Sequence, residues 1–162
     1  MAVVNLKATA ITQADANAAT NPYLAKGNPV ESVGSVSLAN GDSIASTYRV
    51  CRIPSNARIS AVRLFCSAIT SGAADIGLRR TAADGGAVVD ADFFIAAQSI
   101  ASALAGSEVS GGNVLTPVNR EKRVWEALNL TSDPNLLYDV TVTLTAATTA
   151  AGTLALQVSF VV

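Results

Sequence analysis

The stretch from Val140 to Val162, "VTVTLTAATTAAGTLALQVSFVV", contains no charged residue. About 20 apolar residues are enough for a helix to cross a bilayer, so length alone allows a membrane span. Periodicity excludes it. From Tyr138 the apolar residues occupy every second position (Tyr138, Val140, Val142, Leu144), with Asp139, Thr141, Thr143 and Thr145 between them. The alternation resumes in Leu154, Leu156, Val158, Phe160 and Val162. Period two places one set of side chains on one face of a strand, whereas a helix groups its apolar residues at period 3.6. Threonine and valine, stiff at χ1, also favour a pleated sheet. The simplest pairing is a hairpin closed by residues 146–152, with Leu144 opposite Leu154, Val142 opposite Leu156, Val140 opposite Val158 and Tyr138 opposite Phe160.

With 162 residues the chain is long enough for one domain with a substantial core. Hydrophobic residues make up 50% and charged residues only 14%, well below the roughly 25% of an ordinary soluble domain. So neutral and apolar a chain favours association with copies of itself or with a partner. Eleven Lys and Arg against twelve Asp and Glu provide no electrostatic footprint for nucleic acid. The opening "MAVVNLKATA" lacks the basic start and apolar run of a secretory signal, which points to synthesis in the cytoplasm.

Between Val33 and the closing segment, short apolar runs alternate with turn residues. "SVGSVSLANGDS" ends at the turn pair Asn40-Gly41. "TYRVCRIP" and "RISAVRLFC" flank the turn "PSNAR", and "DIGLRRT" leads into "ADGG". Regular short strands separated by Gly, Asn and Pro predict an antiparallel β-sandwich or barrel. The strands near Tyr48–Ile53 and Ile59–Cys66 read as a second hairpin. That register sets Cys51 opposite Ala61, so Cys66 is out of disulfide reach and both cysteines are expected as buried thiols. Two short helices are predicted. One lies in "DADFFIAAQSIASALAG", capped by Asp90 or Asp92 and stopped by Gly106; the other lies in "EKRVWEALNL", with Val124, Trp125 and Leu128 turned inward. Residues 1–30 are polar, small and aperiodic. They are expected to form an extended arm whose Val3, Val4, Leu6, Ile11, Tyr23 and Leu24 give it something to bury, ahead of a sandwich domain over residues 31–162.

Catalytic chemistry finds no foothold. Histidine is absent, which removes the commonest general base and metal ligand. Two cysteines do not supply a structural zinc site. Asp84, Asp90 and Asp92 are close in sequence, but their spacing does not converge oxygens on a cation as a calcium loop does. Asp84-Gly85-Gly86 reads as a turn. No cofactor, metal or catalytic residue is therefore expected. The one charge cluster, "NREKRVWE", offers Arg120, Lys122 and Arg123 as a polar contact to an acidic partner surface. Tyr23 and Leu24 are the apolar contacts expected from the arm.

Three segments together carry a resemblance: "YRVCRIPSNARISAVRLFCSAITSGAADIGLRRTAADGGAVVDADFF", "VWEALNLTSDP" and "YDVTVTLTAATTAAGTLAL". They resemble a family of small tailed-bacteriophage virion proteins, the capsid decoration or cement proteins with a jelly-roll fold. "IPSNARIS", "ADIGL" and "ADGGAVVDADFF" are the most specific parts, and the similarity runs from about Asn5 to the C-terminus. The resemblance implies a jelly-roll-like antiparallel sandwich that binds the major capsid protein shell from outside, at the virion surface. It implies a homo-oligomer with no enzymatic activity and no membrane or nucleic-acid partner. A tail or fibre component that recognises the host surface is the alternative role.

Overall fold

In the computed structural model, residues 28–162 are described. The predicted arm, with Tyr23 and Leu24, lies outside them apart from its last three positions. Eight strands follow: β1 Pro29–Leu38, β2 Thr47–Pro54, β3 Arg58–Cys66, β4 Ala73–Arg80, β5 Val88–Ser99, β6 Leu104–Glu108, β7 Leu137–Ala146 and β8 Gly152–Val161. They form two antiparallel four-stranded sheets, in the orders β1-β8-β3-β6 and β2-β7-β4-β5. Eight strands divided in this way, with every successive pair except β4–β5 changing sheet, make a jelly-roll sandwich. The expected all-β class is the observed one.

The alternation in the closing segment is real. Tyr138, Val140, Val142, Leu144, Leu154, Leu156, Val158 and Phe160 are each at most 5% exposed. Their predicted pairing is not what forms. β7 pairs with β2 and β4, while β8 pairs with β1 and β3. Leu156 therefore lies beside Gly34 and Leu64 in its own sheet, and Val142 beside Tyr48 and Ile76 in the other. The two apolar rows belong to opposite sheets of one core, and the loop after β7 carries the chain from sheet to sheet. The second expected hairpin fails in the same way. The strand bounds are close to those predicted, but β2 and β3 lie in different sheets, joined by the turn at Ser55–Ala57. Cys51 pairs with Val140, not Ala61, and both cysteines are free and buried.

The helix expected over Asp90–Gly106 is instead β5 and the start of β6. Its alanine content suits a helix, but the sheet needs a fourth strand to cover its core, and tertiary context overrides propensity. Phe93 and Phe94, both fully buried, meet edge to face with ring centres 5.0 Å apart. β5 is irregular, with three register shifts against β4. Its Asp90–Ala91 backbone folds over Gly77, where a Cβ would come within 2.2 Å of three backbone atoms. The outer edge of β5 is covered: the Gly112 and Val114 amides donate to the Phe94 and Phe93 carbonyls, and Asn113 Nδ2 donates to the Asp92 carbonyl. This shields an edge that could otherwise pair with another chain. The second expected helix survives as one turn, α1 (Val124–Ala127), with Val124 buried and Trp125 and Leu128 half-buried.

At the opposite edge the sheets meet in a tight seam. β2 carries a bulge between Arg49 and Cys51, and β1 crosses it at Gly34, where a Cβ would sit 1.9 Å from the Val50 carbonyl oxygen. The Cys51 thiol donates to the Ser32 carbonyl at 3.3 Å, and the Arg52 amide donates to Ser32 Oγ at 3.2 Å. No helix among the described residues is long and apolar enough to cross a membrane.

Candidate interaction surface

The seam opens onto a shallow groove of about 390 Å³ lined by Ser32, Arg49, Val50, Cys51, Arg52, Ala82 and Asp139. Asp139 takes an outward position on β7, beside Arg52 of β2 and Arg79 of β4. Its side chain is only 5% exposed, and it is held by two cations: Arg49 Nη1 donates to Oδ2 and Arg52 Nε to Oδ1, each at 2.6 Å. Burial pushes the Asp139 carboxyl up, but hydrogen bonds and charge from Arg52 and Arg49 outweigh it, and the net shift is downward. Arg49 also donates to the Arg80 carbonyl and reaches the Gly86 carbonyl, tying β2 to the turn between β4 and β5. Arg79 reaches across β7 to Thr47 Oγ1 at 3.4 Å. Two arginines thus hold one carboxylate on the outer face of this sheet, while the Arg79 guanidinium is directed away from it toward Thr47. Arg52, 54% exposed, directs a planar cation with further donors at solvent.

The acidic counterpart lies on the other edge strand of the same sheet. Asp90 and Asp92 stand two residues apart on β5, and Asp90 Oδ1 accepts the Asp92 amide. Burial and the neighbouring Asp92 push the Asp90 carboxyl up. Neither carboxylate has a cationic partner within ion-pair distance among the described residues. Asp84 is placed elsewhere, in the 3₁₀ turn Ala82–Asp84, where its Oδ2 accepts from Thr81 Oγ1. The positive-φ residues Gly85 and Gly86 complete that turn, as the sequence suggests. Asp90 and Asp92, expected as helix caps, are strand residues. Among the described residues no cluster of His, Cys, Asp and Glu is placed to hold a metal ion.

The charge cluster identified in the sequence falls on the long connection between β6 and β7. Arg120 is tied down by its own chain: Nη1 donates to the Ser60 carbonyl at 3.3 Å and to Ser110 Oγ at 3.0 Å. Ser110 in turn donates to Glu108, which also accepts the Val62 amide. Arg123 is the N-cap of α1, where its amide donates to Glu126 Oε2. Lys122 is half-buried on the same connection. α1 docks on the turn between β2 and β3 through the Val124 and Trp125 amides, which donate to the carbonyls of Ala57 and Ser55. Pro29 and Arg58 both flank Val161. β1 therefore starts at the end of the sandwich that carries the turn on which α1 docks. The arginine–aspartate groove is the feature that sequence reasoning misses. Asp139 is 90 and 87 residues from Arg49 and Arg52 in the chain, and only the β2–β7 register brings it to them.

No protein-family model matches the chain, and no curated protein sequence does. Solved structures match it at low sequence identity. One is a chain in the cyanophage Pam1 capsid asymmetric unit, with a TM-score of 0.54 and 16% identity, over 84% of this chain and 86% of that one. Another is a chain in the capsid of Ralstonia phage GP4, with a TM-score of 0.58 and 15% identity, over 83% and 84%. The fold is shared with chains of two phage capsids. Because each alignment takes nearly the same share of both partners, the three chains are close in length.

Proposed function

We propose that this protein is a structural component of a phage virion that binds the outside of the capsid shell and stabilises it, together with further copies of itself. The observation that carries this reading is a whole-domain match to chains of similar length in two phage capsids. The physical character of the chain supports it. A sandwich with a continuous core is rigid, and a surface of low net charge suits close packing on a crowded shell. Stabilisation follows from mass action: a subunit that binds the assembled shell and not its dissociated parts raises the free energy of disassembly. At a hundredfold excess over Kd the gain is about 2.7 kcal/mol per site. Arg120, Lys122 and Arg123 are the proposed contacts to the shell, together with Tyr23 and Leu24, which are outside the described residues.

The test is to add purified protein to undecorated shells and follow co-sedimentation and the temperature of shell disruption. Saturable binding with a raised disruption temperature is expected. Protein that stays in the supernatant at all concentrations would exclude the role. Deleting residues 1–27 should leave the sandwich folded and weaken shell binding.

A further inference from the structure

The two unlike charge patches on the β2-β7-β4-β5 sheet fit each other better than they fit anything within one chain. At the β2 edge, Arg49 and Arg52 share the single carboxylate of Asp139, which leaves one positive charge in excess. Of these, Arg52 is half open to solvent and, among the described residues, makes no ion pair beyond Asp139. At the β5 strand, Asp90 and Asp92 repel one another with no cation to balance them among the described residues. Within one molecule neither Asp90 nor Asp92 makes an ion pair with Arg49 or Arg52 among the described residues. Each patch is flanked by exposed apolar surface: Val88 beside the aspartates, and Val30, two residues before Ser32 of the groove. Arginine within an apolar surround is the composition of a contact centre, and complementary charge fixes its register.

We propose that the groove of one copy receives the Asp90–Asp92 segment of a second copy, with Arg52 as the principal cation. This rests on the self-association in the functional reading above and names the surfaces that make it. Such a contact is directional, pairing unlike patches, and repeats through any symmetry that brings the β2 edge of one copy to β5 of the next.

The experiment is sedimentation velocity on the full chain in low salt, for wild type, R52E and D90K/D92K, each checked by circular dichroism and thermal melting. Wild type should sediment above monomer mass and shift toward monomer as salt screens the contact. R52E and D90K/D92K should each associate at least about tenfold more weakly. Mixed together they should regain association, because each then supplies the charge that the other lacks. R52Q and D90N/D92N keep the fold test independent of charge reversal and should also weaken association. R63E, a change of the same sign on the other sheet, should have no effect. A monomeric wild type, oligomers that survive R52E, or a mixture that does not reassociate would each overturn the proposal. None of those results bears on shell binding, which is measured separately.

Discussion

Replacing Gly34 with alanine probes the seam on which the jelly-roll arrangement depends. A Cβ at this position would lie 1.9 Å from the Val50 carbonyl oxygen and 2.9 Å from its carbon. The closest comfortable carbon–oxygen approach is about 3.3 Å, so β1 and β2 must separate by about 1.4 Å. Both obstructing atoms are backbone, and no rotamer change relieves them. The separation strains the Cys51 and Arg52 hydrogen bonds to Ser32, at 3.3 and 3.2 Å. Overpacking typically costs 1–3 kcal/mol and each lost hydrogen bond roughly 0.5–1.5, giving about 3 kcal/mol in all. For a chain of this size that lowers Tm by about 6–12 °C. The assay is thermal unfolding followed by circular dichroism, with Gly111→Ala as control, since a Cβ there meets only Arg120 Nη2 at 3.8 Å. A G34A protein melting within about 2 °C of wild type would refute the seam geometry.

Other perturbations address the core, the clamp and the thiols. Leu156→Ala empties a fully buried site at the centre of β8 and should cost about 3–5 kcal/mol in urea unfolding, with an unchanged m-value. Asp139→Asn should lower Tm at neutral pH. The folded carboxyl of Asp139 is held below its unfolded value, so its stabilisation is complete above about pH 4 and is lost as pH falls through the folded value. The gap between wild type and D139N should therefore close only in acid, and a gap that closes between pH 7 and 5 would contradict the clamp. Cys51 and Cys66 are buried and their thiols are pushed up by burial. Neither should react with a thiol reagent near pH 8 until the protein is denatured, when both should; rapid reaction of either in the native state would place it at the surface.

The strands themselves are legible in the sequence, because burial on one face imposes period two, and period two can be read residue by residue. Tyr138 to Leu144 and Leu154 to Phe160 show this clearly. Their partners are not legible. Matching apolar rows satisfy a hairpin and a sandwich equally well, since Leu144 and Leu154 can hide beside each other or across a core. The chain decides by long-range pairings, β1 with β8 and β2 with β7, that local pattern does not encode. The segment Asp90–Gly106 misleads for a different reason. Ala96, Ala97 and Ala101 carry helical propensity, while Phe93 and Phe94 are claimed by the core of an irregular strand whose bulges blur the alternation. The groove is the least legible feature. Asp139 reads as one polar residue in an alternating strand, and its significance appears only when β2 brings Arg49 and Arg52 beside it. Arg120 looks like a free surface charge in sequence but ties the long connection to Ser60 of β3 and to Ser110, just after β6.

An electron cryo-microscopy reconstruction of purified virions, compared with particles grown without this protein, tests the assignment most directly. A subunit of the shell exterior requires density outside the capsid that accepts the eight-stranded sandwich and disappears in the deletion particles. Identical shells in the two reconstructions, or the missing density confined to the tail, would contradict it.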